Sequence, residues 1–252
     1  MRNVASTPSD SLTGVGLAAA FLLGWLFVHF AAIFGFSFGT EPLWLAIGIV
    51  ALQAWLSTAL FITAHDAMHG SLAPRWPRLQ RRLGRVALMV YAGLDYSRME
   101  PAHFDHHKHV GTADDPDFHE NDPIRFGPWL VAFFRRYYTH AQLARITAVA
   151  VAYLLLGASL LNIIAFWAVP ALVALLQLFY FGTYLPHRHD GSAFVDRHRA
   201  RSTRLPDALS ALTCFHFGGY HHEHHLHPSV PWWRLPKTRS RAVAQERANS
   251  VI

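Results

Sequence analysis

Long stretches without charged side chains alternate with polar segments along this chain of 252 residues. Residues 11–40, 42–65 and 146–187 contain no Asp, Glu, Lys or Arg, whereas about 20 apolar residues suffice for one membrane-spanning helix. The third stretch is long enough for two helices, and we place a hairpin turn near its polar residue Asn162. The pattern therefore predicts four transmembrane helices, at about 12–36, 43–64, 146–161 and 163–186.

The two long polar segments, residues 65–145 and 187–252, are expected to form a helical cap at one end of the spans. Within the first, Arg85–Tyr96 is apolar but too short to cross a bilayer, which is typical of a helix at the membrane interface. Residues 126–138 combine aromatic and arginine side chains and predict a second interfacial helix. The predicted fold is an all-α integral membrane protein, with residues 1–252 as a single domain.

Composition and charge agree with this fold and predict its orientation. Hydrophobic residues make up 52% of the chain and charged residues 15%, and the mean hydropathy is +0.17. The 22 Lys and Arg residues divide into eleven in 65–145, ten in 187–252 and Arg2, with none in the short loops near 35–42 and Asn162. Because basic loops stay on the cytoplasmic side, the cap and both termini are expected there.

The same charge distribution accounts for the net charge of +6, so it does not indicate nucleic-acid binding. The first apolar stretch is too long for the core of a signal peptide, and we expect it to remain in the mature protein. Cys214, the single cysteine, excludes an internal disulfide and fits a reducing compartment. Nothing in the sequence around Cys214 favours metal binding over a buried small side chain.

Eight histidines form three clusters with helical spacing, each following a long uncharged stretch. Positions i, i+3 and i+4 share one face of a helix, so the imidazoles of each cluster converge. Imidazole suits iron, copper, zinc and nickel, and eight imidazoles exceed the four ligands usual for one structural zinc ion. A centre with two metal ions is the simplest fit. The clustered residues are His65 and His69, then His103, His106 and His107, then His221, His224 and His225.

The residues around these clusters leave some roles open. His187 lies at the end of the fourth predicted span and is our choice for a ninth ligand, with His189 and His222 as alternatives. Carboxylates that accept the other ring N–H of a ligand are also expected. The candidates are Asp66, Asp105, Glu223 and the acidic run Asp114, Asp115 and Asp117, although the run also fits a solvated turn.

Not every histidine is assigned to the site, and a carboxylate-bridged site is disfavoured. The isolated residues His29, His140 and His198 are interpreted as ordinary polar groups near helix ends. A carboxylate-bridged di-iron site needs a Glu-x-x-His motif on each of two helices, and here only Glu100 and His103 match, with Pro101 between them. Imidazoles are therefore expected to carry the site.

Four strings surrounding the clusters resemble a known family. They are Phe61–Pro74 (FITAHDAMHGSLAP), Gly111–Phe118 (GTADDPDF), Phe181–His189 (FGTYLPHRH) and Pro231–Pro236 (PWWRLP). The clusters, in order and spacing, are similar to the membrane fatty acid desaturase and hydroxylase superfamily, and these strings resemble the bacterial β-carotene ketolases within it. The resemblance covers about residues 40–236. In that family the eight clustered histidines are the metal ligands, and the transfer to His187 rests on position alone.

The resemblance implies a bacterial inner-membrane enzyme with two iron ions that uses O2 to oxidise ring carbon C4 of β-carotene. The products would be echinenone and canthaxanthin, and zeaxanthin would be converted towards astaxanthin. Redox-inert zinc cannot perform this oxidation alone. The chain has no Gly-x-Gly-x-x-Gly fingerprint, so the electrons are expected from a ferredoxin or similar donor that docks on the basic cytoplasmic face.

The apolar substrate is expected to reach the site from the bilayer. Aromatic residues that could line its path are Trp55, Phe61, Tyr91, Phe179, Tyr180 and Tyr184, although such residues more often serve packing. The alternatives in function are a fatty acyl desaturase, a carotenoid 3-hydroxylase and, in a different class, a histidine-based metal transporter. Transporters place polar ligands near the bilayer midplane. The histidine clusters follow the long uncharged stretches instead, which disfavours the metal transporter.

Overall fold

The computed structural model describes residues 8–240, and within that range every regular element is helical. The predicted domain 1–252 and both chain termini extend beyond the described residues. Two π-helical turns, Ile164–Ala168 and Tyr180–Tyr184, lie within the helix Leu160–His187. The helices are α1 (Pro8–Gly35), α2 (Leu43–Met68), α3 (Pro77–Ala92), α4 (Tyr96–His109), α5 (Phe126–Tyr137), α6 (His140–Leu155), α7 (Leu160–His187), α8 (Asp207–Cys214) and α9 (His221–Leu226).

Three helices are long and apolar enough to cross a membrane: α1, α2 and α7, with mean hydropathies of 2.0 to 2.2. They pack against one another while large apolar side chains such as Phe27 and Trp44, 76% and 72% exposed, face outward. An outward apolar surface of this kind is stable in lipid rather than in water. Helix α6 is apolar but has only 16 residues, or about 24 Å of length.

The hairpin between α6 and α7 differs from the prediction that placed it at Asn162. Helix α6 occupies His140–Leu155 rather than 146–161, and the turn lies at 156–159. Asn162 is buried in the first turn of α7, where its Nδ2 donates to the carbonyl oxygens of Ala32, Ile33 and Phe36 at 3.3, 3.1 and 2.8 Å. The amide therefore satisfies the open end of α1 instead of facing water.

The predicted interfacial helix at Arg85–Tyr96 is also corrected. Helix α3 begins eight residues earlier, at Pro77, and ends at Ala92. The next residue, Gly93, has a φ of +63°, the left-handed conformation that glycine tolerates. Asp95 then caps α4 by accepting from the N–H of Ser97 at 2.9 Å. This break turns the chain so that α4 lies across the end of α2. Helix α5 at Phe126–Tyr137 agrees with the second predicted interfacial helix.

Contacts at the end of the chain bring the third histidine cluster onto α2. The N–H of Trp232 donates to Oδ2 of Asp66 at 3.1 Å, and Arg234 pairs with Asp10 at the start of α1 at 2.6 Å. Phe215 and Phe217 are buried against α2. These contacts hold the segment containing α8 and α9 against the start of α1 and the end of α2.

Candidate metal centre

The ends of four helices meet at one place and bring nine histidines together. The C-terminal ends of α2 and α7, the second half of α4, and α9 each present imidazoles to a common interior. The histidines divide into two groups, in each of which the ligand nitrogens lie within 4.8 Å of one another. The first group is His65, His69, His103, His107 and His224, and the second is His106, His187, His221 and His225.

The first group contains five imidazoles from three helices. Nε2 of His69 lies 2.7 Å from Nε2 of His103, and Nε2 of His107 lies 3.1 Å from Nε2 of His224. The ring of His65 is 4.6 Å from that of His224, centre to centre. The helical spacing therefore places the members of each cluster side by side, while the tertiary fold mixes the clusters.

The second group contains four buried imidazoles, and His187 is one of them. Nε2 of His221 lies 2.9 Å from Nε2 of His187 and 3.0 Å from Nε2 of His225. His106 packs against both His187 and His225, with ring centres 4.9 and 5.2 Å away. Cluster membership in the sequence does not decide the grouping, because His106 and its neighbour His107 belong to different groups.

Hydrogen bonds on the outer side of several rings fix their orientation. Nδ1 of His65 faces Asp66 at 3.3 Å, and Nδ1 of His106 faces Asp115 at 2.9 Å. Nδ1 of His187 donates to the carbonyl of Arg199 at 2.9 Å, and that of His221 donates to the carbonyl of Phe217 at 3.1 Å. Since each Nδ1 carries the proton, each Nε2 lone pair points inward, as in many histidine metal sites.

Burial determines the charge state of most of the imidazoles in the cap. Desolvation lowers the pKa of each far below the usual value, because water can no longer stabilise the charged form. His106 differs: burial also acts to lower its pKa, but the negative charges of Asp117 and Asp115 outweigh this effect and raise it. The residues with lowered pKa include His103, His107, His221, His224 and His225.

The arrangement of the facing nitrogens fits metal coordination better than hydrogen bonds between imidazoles. His187 and His221 both direct an unprotonated Nε2 at the other across 2.9 Å, with Nε2 of His225 only 3.0 Å from that of His221. One proton can join only two nitrogens, whereas a metal ion about 2.0–2.1 Å from each can join three or four. At this distance, adjacent ligand nitrogens lie about 2.9 Å apart in octahedral geometry and about 3.3 Å apart in tetrahedral geometry. The observed separations of 2.9 and 3.0 Å fall in this range.

Some of the carboxylate candidates contact the histidine groups and others do not. Asp66 and Asp115 contact histidines of the two groups, and Asp117 lies 3.8 Å from His106 and accepts from the hydroxyl of Tyr137. Burial acts to raise the pKa of Asp115, but hydrogen bonds from His106 and from the N–H groups of Gly111 and Asp117 lower it. Within the acidic run, Asp115 and Asp117 therefore support the His106 ring, whereas Asp114 is exposed.

Two further carboxylates point elsewhere. Glu223 accepts from Ser202 and Arg239 rather than from an imidazole, and Asp105 is exposed at the edge of a separate surface pocket. Glu100 pairs with Arg81 at 2.5 Å and is not part of either histidine group. Of the Glu-x-x-His match, only His103 therefore belongs to the candidate site, and Glu100 does not.

The alternative ninth ligands also lie outside both groups. His189 packs on Phe118 with ring centres 4.8 Å apart, and Nε2 of His222 bonds Asp196 at 2.9 Å. Of the isolated histidines, His29 bonds the Tyr153 hydroxyl at 3.1 Å inside the span region and His140 bonds that of Tyr138 at 3.2 Å. His198 lies nearest the site, with its ring centre 6.3 Å from that of His225, but it is in neither group.

A small cavity of about 70 Å³ touches both histidine groups. Sequence reasoning missed several of its lining residues, which have no metal-binding spacing to reveal them. Thr183 comes from a π-helical turn of α7, Phe133 from α5, and Cys214 and Phe217 from the segment before α9. Cys214 is buried, as expected, but its position beside the imidazoles was not foreseen.

Comparison with known proteins agrees with this geometry. A family model described as fatty acid desaturase matches residues 42–146 and 135–251. A β-carotene ketolase from Paracoccus sp. (strain PC1) is 46% identical over 233 residues, which cover 92% of this chain and 95% of the relative. A second β-carotene ketolase, from Paracoccus sp. (strain N81106 / MBIC 01143), is 44% identical over 93% of this chain and 96% of the relative.

A zeaxanthin 4-ketolase from Chlamydomonas reinhardtii is 36% identical over 92% of this chain and 54% of its own length. The family model and the histidine-lined ends of membrane-length helices together define the class, a desaturase-type membrane protein. The chain belongs to the fatty acid desaturase family and, within it, to the β-carotene ketolases.

Proposed function

We propose that this protein is a β-carotene 4-ketolase, which introduces keto groups at C4 and C4′ of β-ionone rings. The observation that carries the proposal is the pair of histidine groups beside a small, mostly buried cavity, in a chain closely similar to β-carotene ketolases over nearly its whole length. β-Carotene would pass through echinenone to canthaxanthin, and zeaxanthin would be converted towards astaxanthin.

The nine grouped histidines are assigned as ligands of two iron ions, five around one ion and four around the other. When bound there, the two irons would supply the activation of O2 that attack on an allylic C–H bond requires. The protein's own contribution is orientation, because Asp66, Asp115 and two backbone carbonyls hold four of the imidazoles with Nε2 inward.

Two turnovers at one carbon account for the ketone. In the first, one oxygen atom of O2 replaces a C4–H by C4–OH, and the other leaves as water with two electrons and two protons. A second identical turnover gives a geminal diol, which loses water to leave C4=O. The electrons are assigned to a ferredoxin or similar small donor, which the arginine-rich cap would attract electrostatically.

The proposed topology has four spans, with α6 as the third. Helix α6 is short, but it is apolar and connects the cap to the loop at 156–159, as a third span would. The basic residues lie almost entirely in segments 65–145 and 187–252, which supports a cytoplasmic cap and a cytoplasmic metal site in the bacterial inner membrane.

The test is pigment production. Cells that make β-carotene should form canthaxanthin when they express the chain, as detected by mass spectrometry. His106→Ala should reduce ketone formation more than 100-fold, because it removes a ligand from the second group, while the protein stays in the membrane. His140→Ala is the matched control and should keep activity, because His140 is exposed and bonds only Tyr138.

Three alternative results would identify another function. Unchanged β-carotene with iron-loaded protein would refute the ketolase assignment. A ring hydroxylated at C3 would identify a carotenoid 3-hydroxylase, and altered double bonds in membrane acyl chains would identify a fatty acyl desaturase.

A further inference from the structure

A large apolar cavity adjoins the small cavity between the two histidine groups, which we call the metal pocket. Its volume is about 460 Å³, and its walls come from six helices, α2 to α7. Several of its lining residues also form the outer, lipid-facing surface: Leu172 is 55% exposed, Leu143 50% and Phe134 47%. The cavity is therefore bordered by lipid on one side and by the metal pocket on the other.

Three polar groups of this cavity are hydrogen-bonded within the protein. The hydroxyl of Tyr91 donates to the carbonyl of Ala171 at 3.4 Å, and Nε2 of Gln142 donates to that of Ala92 at 2.7 Å. The hydroxyl of Tyr137 donates to Asp117. With these groups engaged, the wall offers mainly hydrocarbon and aromatic surface, and a ligand would gain from apolar burial rather than from hydrogen bonds.

Three residues line both cavities and form the boundary between them: Phe61, Phe133 and Leu178. Phe61 lies one helical turn before His65 on α2, and Leu178 lies nine residues before His187 on α7. These side chains therefore lie between the apolar cavity and the imidazoles.

We propose that the apolar cavity binds one end of the polyene chain, and that the ring passes between Phe61, Phe133 and Leu178 to reach the metal pocket. This inference rests on the proposed function. It adds where the substrate binds and which residues border the passage to the metal pocket. The rest of the long polyene stays in the surrounding lipid, on the side where Leu143 and Leu172 are exposed.

Leu178→Trp tests the passage between the two cavities, and Leu176→Trp is the matched control. Leu176 lies on the same helix, is 43% exposed and lines neither cavity. Leu178→Trp should lower ketone formation at least tenfold with unchanged iron per chain, because the indole fills the passage. Leu176→Trp should match the unmodified protein.

A third variant tests the cavity itself. Ala171→Trp, within the cavity wall, should lower the β-carotene that co-purifies per chain, measured by its absorbance. Equal ketone formation by Leu178→Trp and Leu176→Trp, or undiminished pigment in Ala171→Trp, would overturn the inference. Absence of ketone from the unmodified protein would instead overturn the proposed function.

An independent observation concerns Thr183 in the metal pocket. Its side chain is buried and lines the cavity between the histidine groups, yet among the described residues its hydroxyl has no hydrogen-bond partner. The helical residues Thr58, Thr63 and Thr213 each donate to the carbonyl four residues earlier. Thr183 lies in a π-helical turn, in which the N–H of Leu185 bonds Tyr180, five residues before it. Such turns are frequent at functional sites.

The geometry assigns Thr183 as a positioning residue for the hydroxylated intermediate. The first turnover turns an apolar ring carbon into an alcohol, which a free hydroxyl beside the imidazoles can hold by a hydrogen bond until the second turnover. The unreacted hydrocarbon ring offers no partner for this bond. This role also rests on the proposed function.

Thr183→Val removes the hydroxyl at nearly constant volume, and Thr183→Ser restores it. We expect the ratio of 4-hydroxy to 4-keto product to rise roughly fivefold in Thr183→Val, as loss of one hydrogen bond implies, with unchanged iron content. Thr183→Ser should return the ratio towards that of the unmodified protein. An unchanged ratio in Thr183→Val, or an equal rise in both variants, would overturn the role.

Discussion

At the scale of single residues, the candidate site depends on which nitrogen of each imidazole faces inward. Asp115 fixes His106 and also accepts from the N–H groups of Gly111 and Asp117, at 2.8 and 2.9 Å. These three hydrogen bonds favour the ionised carboxylate, which in turn increases the electron density of the His106 ring. Asp115 therefore joins the loop after α4 to the second histidine group.

Asp115→Asn should weaken metal binding without changing the ligand set. The amide has nearly the same size but no charge, and it cannot accept well from both backbone N–H groups. Loss of such a support costs about 10- to 100-fold in metal affinity. The measurement is iron per chain after dialysis against increasing chelator, with the exposed neighbour changed by Asp114→Asn as control. Equal iron retention by the two variants would contradict this role for Asp115.

The sequence predicted much of this site for a physical reason. Helical spacing alone places His65 beside His69 and His103 beside His106 and His107, whatever the tertiary fold. The same rule cannot say that His106 and His107 belong to different groups, because that depends on how α4, α7 and α9 cross. Nor can it separate Asp115 from Glu223, since both are acidic residues beside histidines and only packing decides which one faces an imidazole.

At the scale of helices, the length of the uncharged stretches predicted the long helices better than a single polar residue predicted a turn. Helices α1, α2 and α7 agree with the predicted spans to within a few residues, since lipid requires continuous apolar segments. Asn162 was misleading because a polar residue in an apolar run can satisfy another helix instead of marking a turn. Its three carbonyl partners at the end of α1 come from more than 120 residues away, beyond the reach of any local pattern.

The cap helices show the same limit. Helix α3 carries arginines in its first half, so its start at Pro77 is invisible to a search for apolar residues, although proline is favoured at that position. Gly93 and Asp95 do mark the break before α4, and the predicted segment Arg85–Tyr96 ran through both. The turn residues therefore carried information that the hydropathy pattern obscured.

At the scale of the whole molecule, the helix ends fall into two opposite sets. The start of α1 and the ends of α2 and α7 lie with the histidines, since Arg234 joins Asp10 while Trp232 joins Asp66. The end of α1 meets the start of α7 through Asn162, far from the site. The short loops at 36–42 and 156–159 therefore belong to the opposite side, where no Lys or Arg occurs.

Together with the proposed cytoplasmic position of the cap, this division predicts which residues a reagent outside the membrane can reach. Cys214 is only 1% exposed, so the natural chain should give little background with a membrane-impermeant maleimide applied to spheroplasts. Thr40→Cys and Leu156→Cys, in the two short loops, should be labelled in intact spheroplasts. Ala193→Cys, an exposed position in the basic segment after α7, should be labelled only after lysis. Labelling of Ala193→Cys in intact spheroplasts would place the histidines on the outer side, out of reach of a cytoplasmic electron donor.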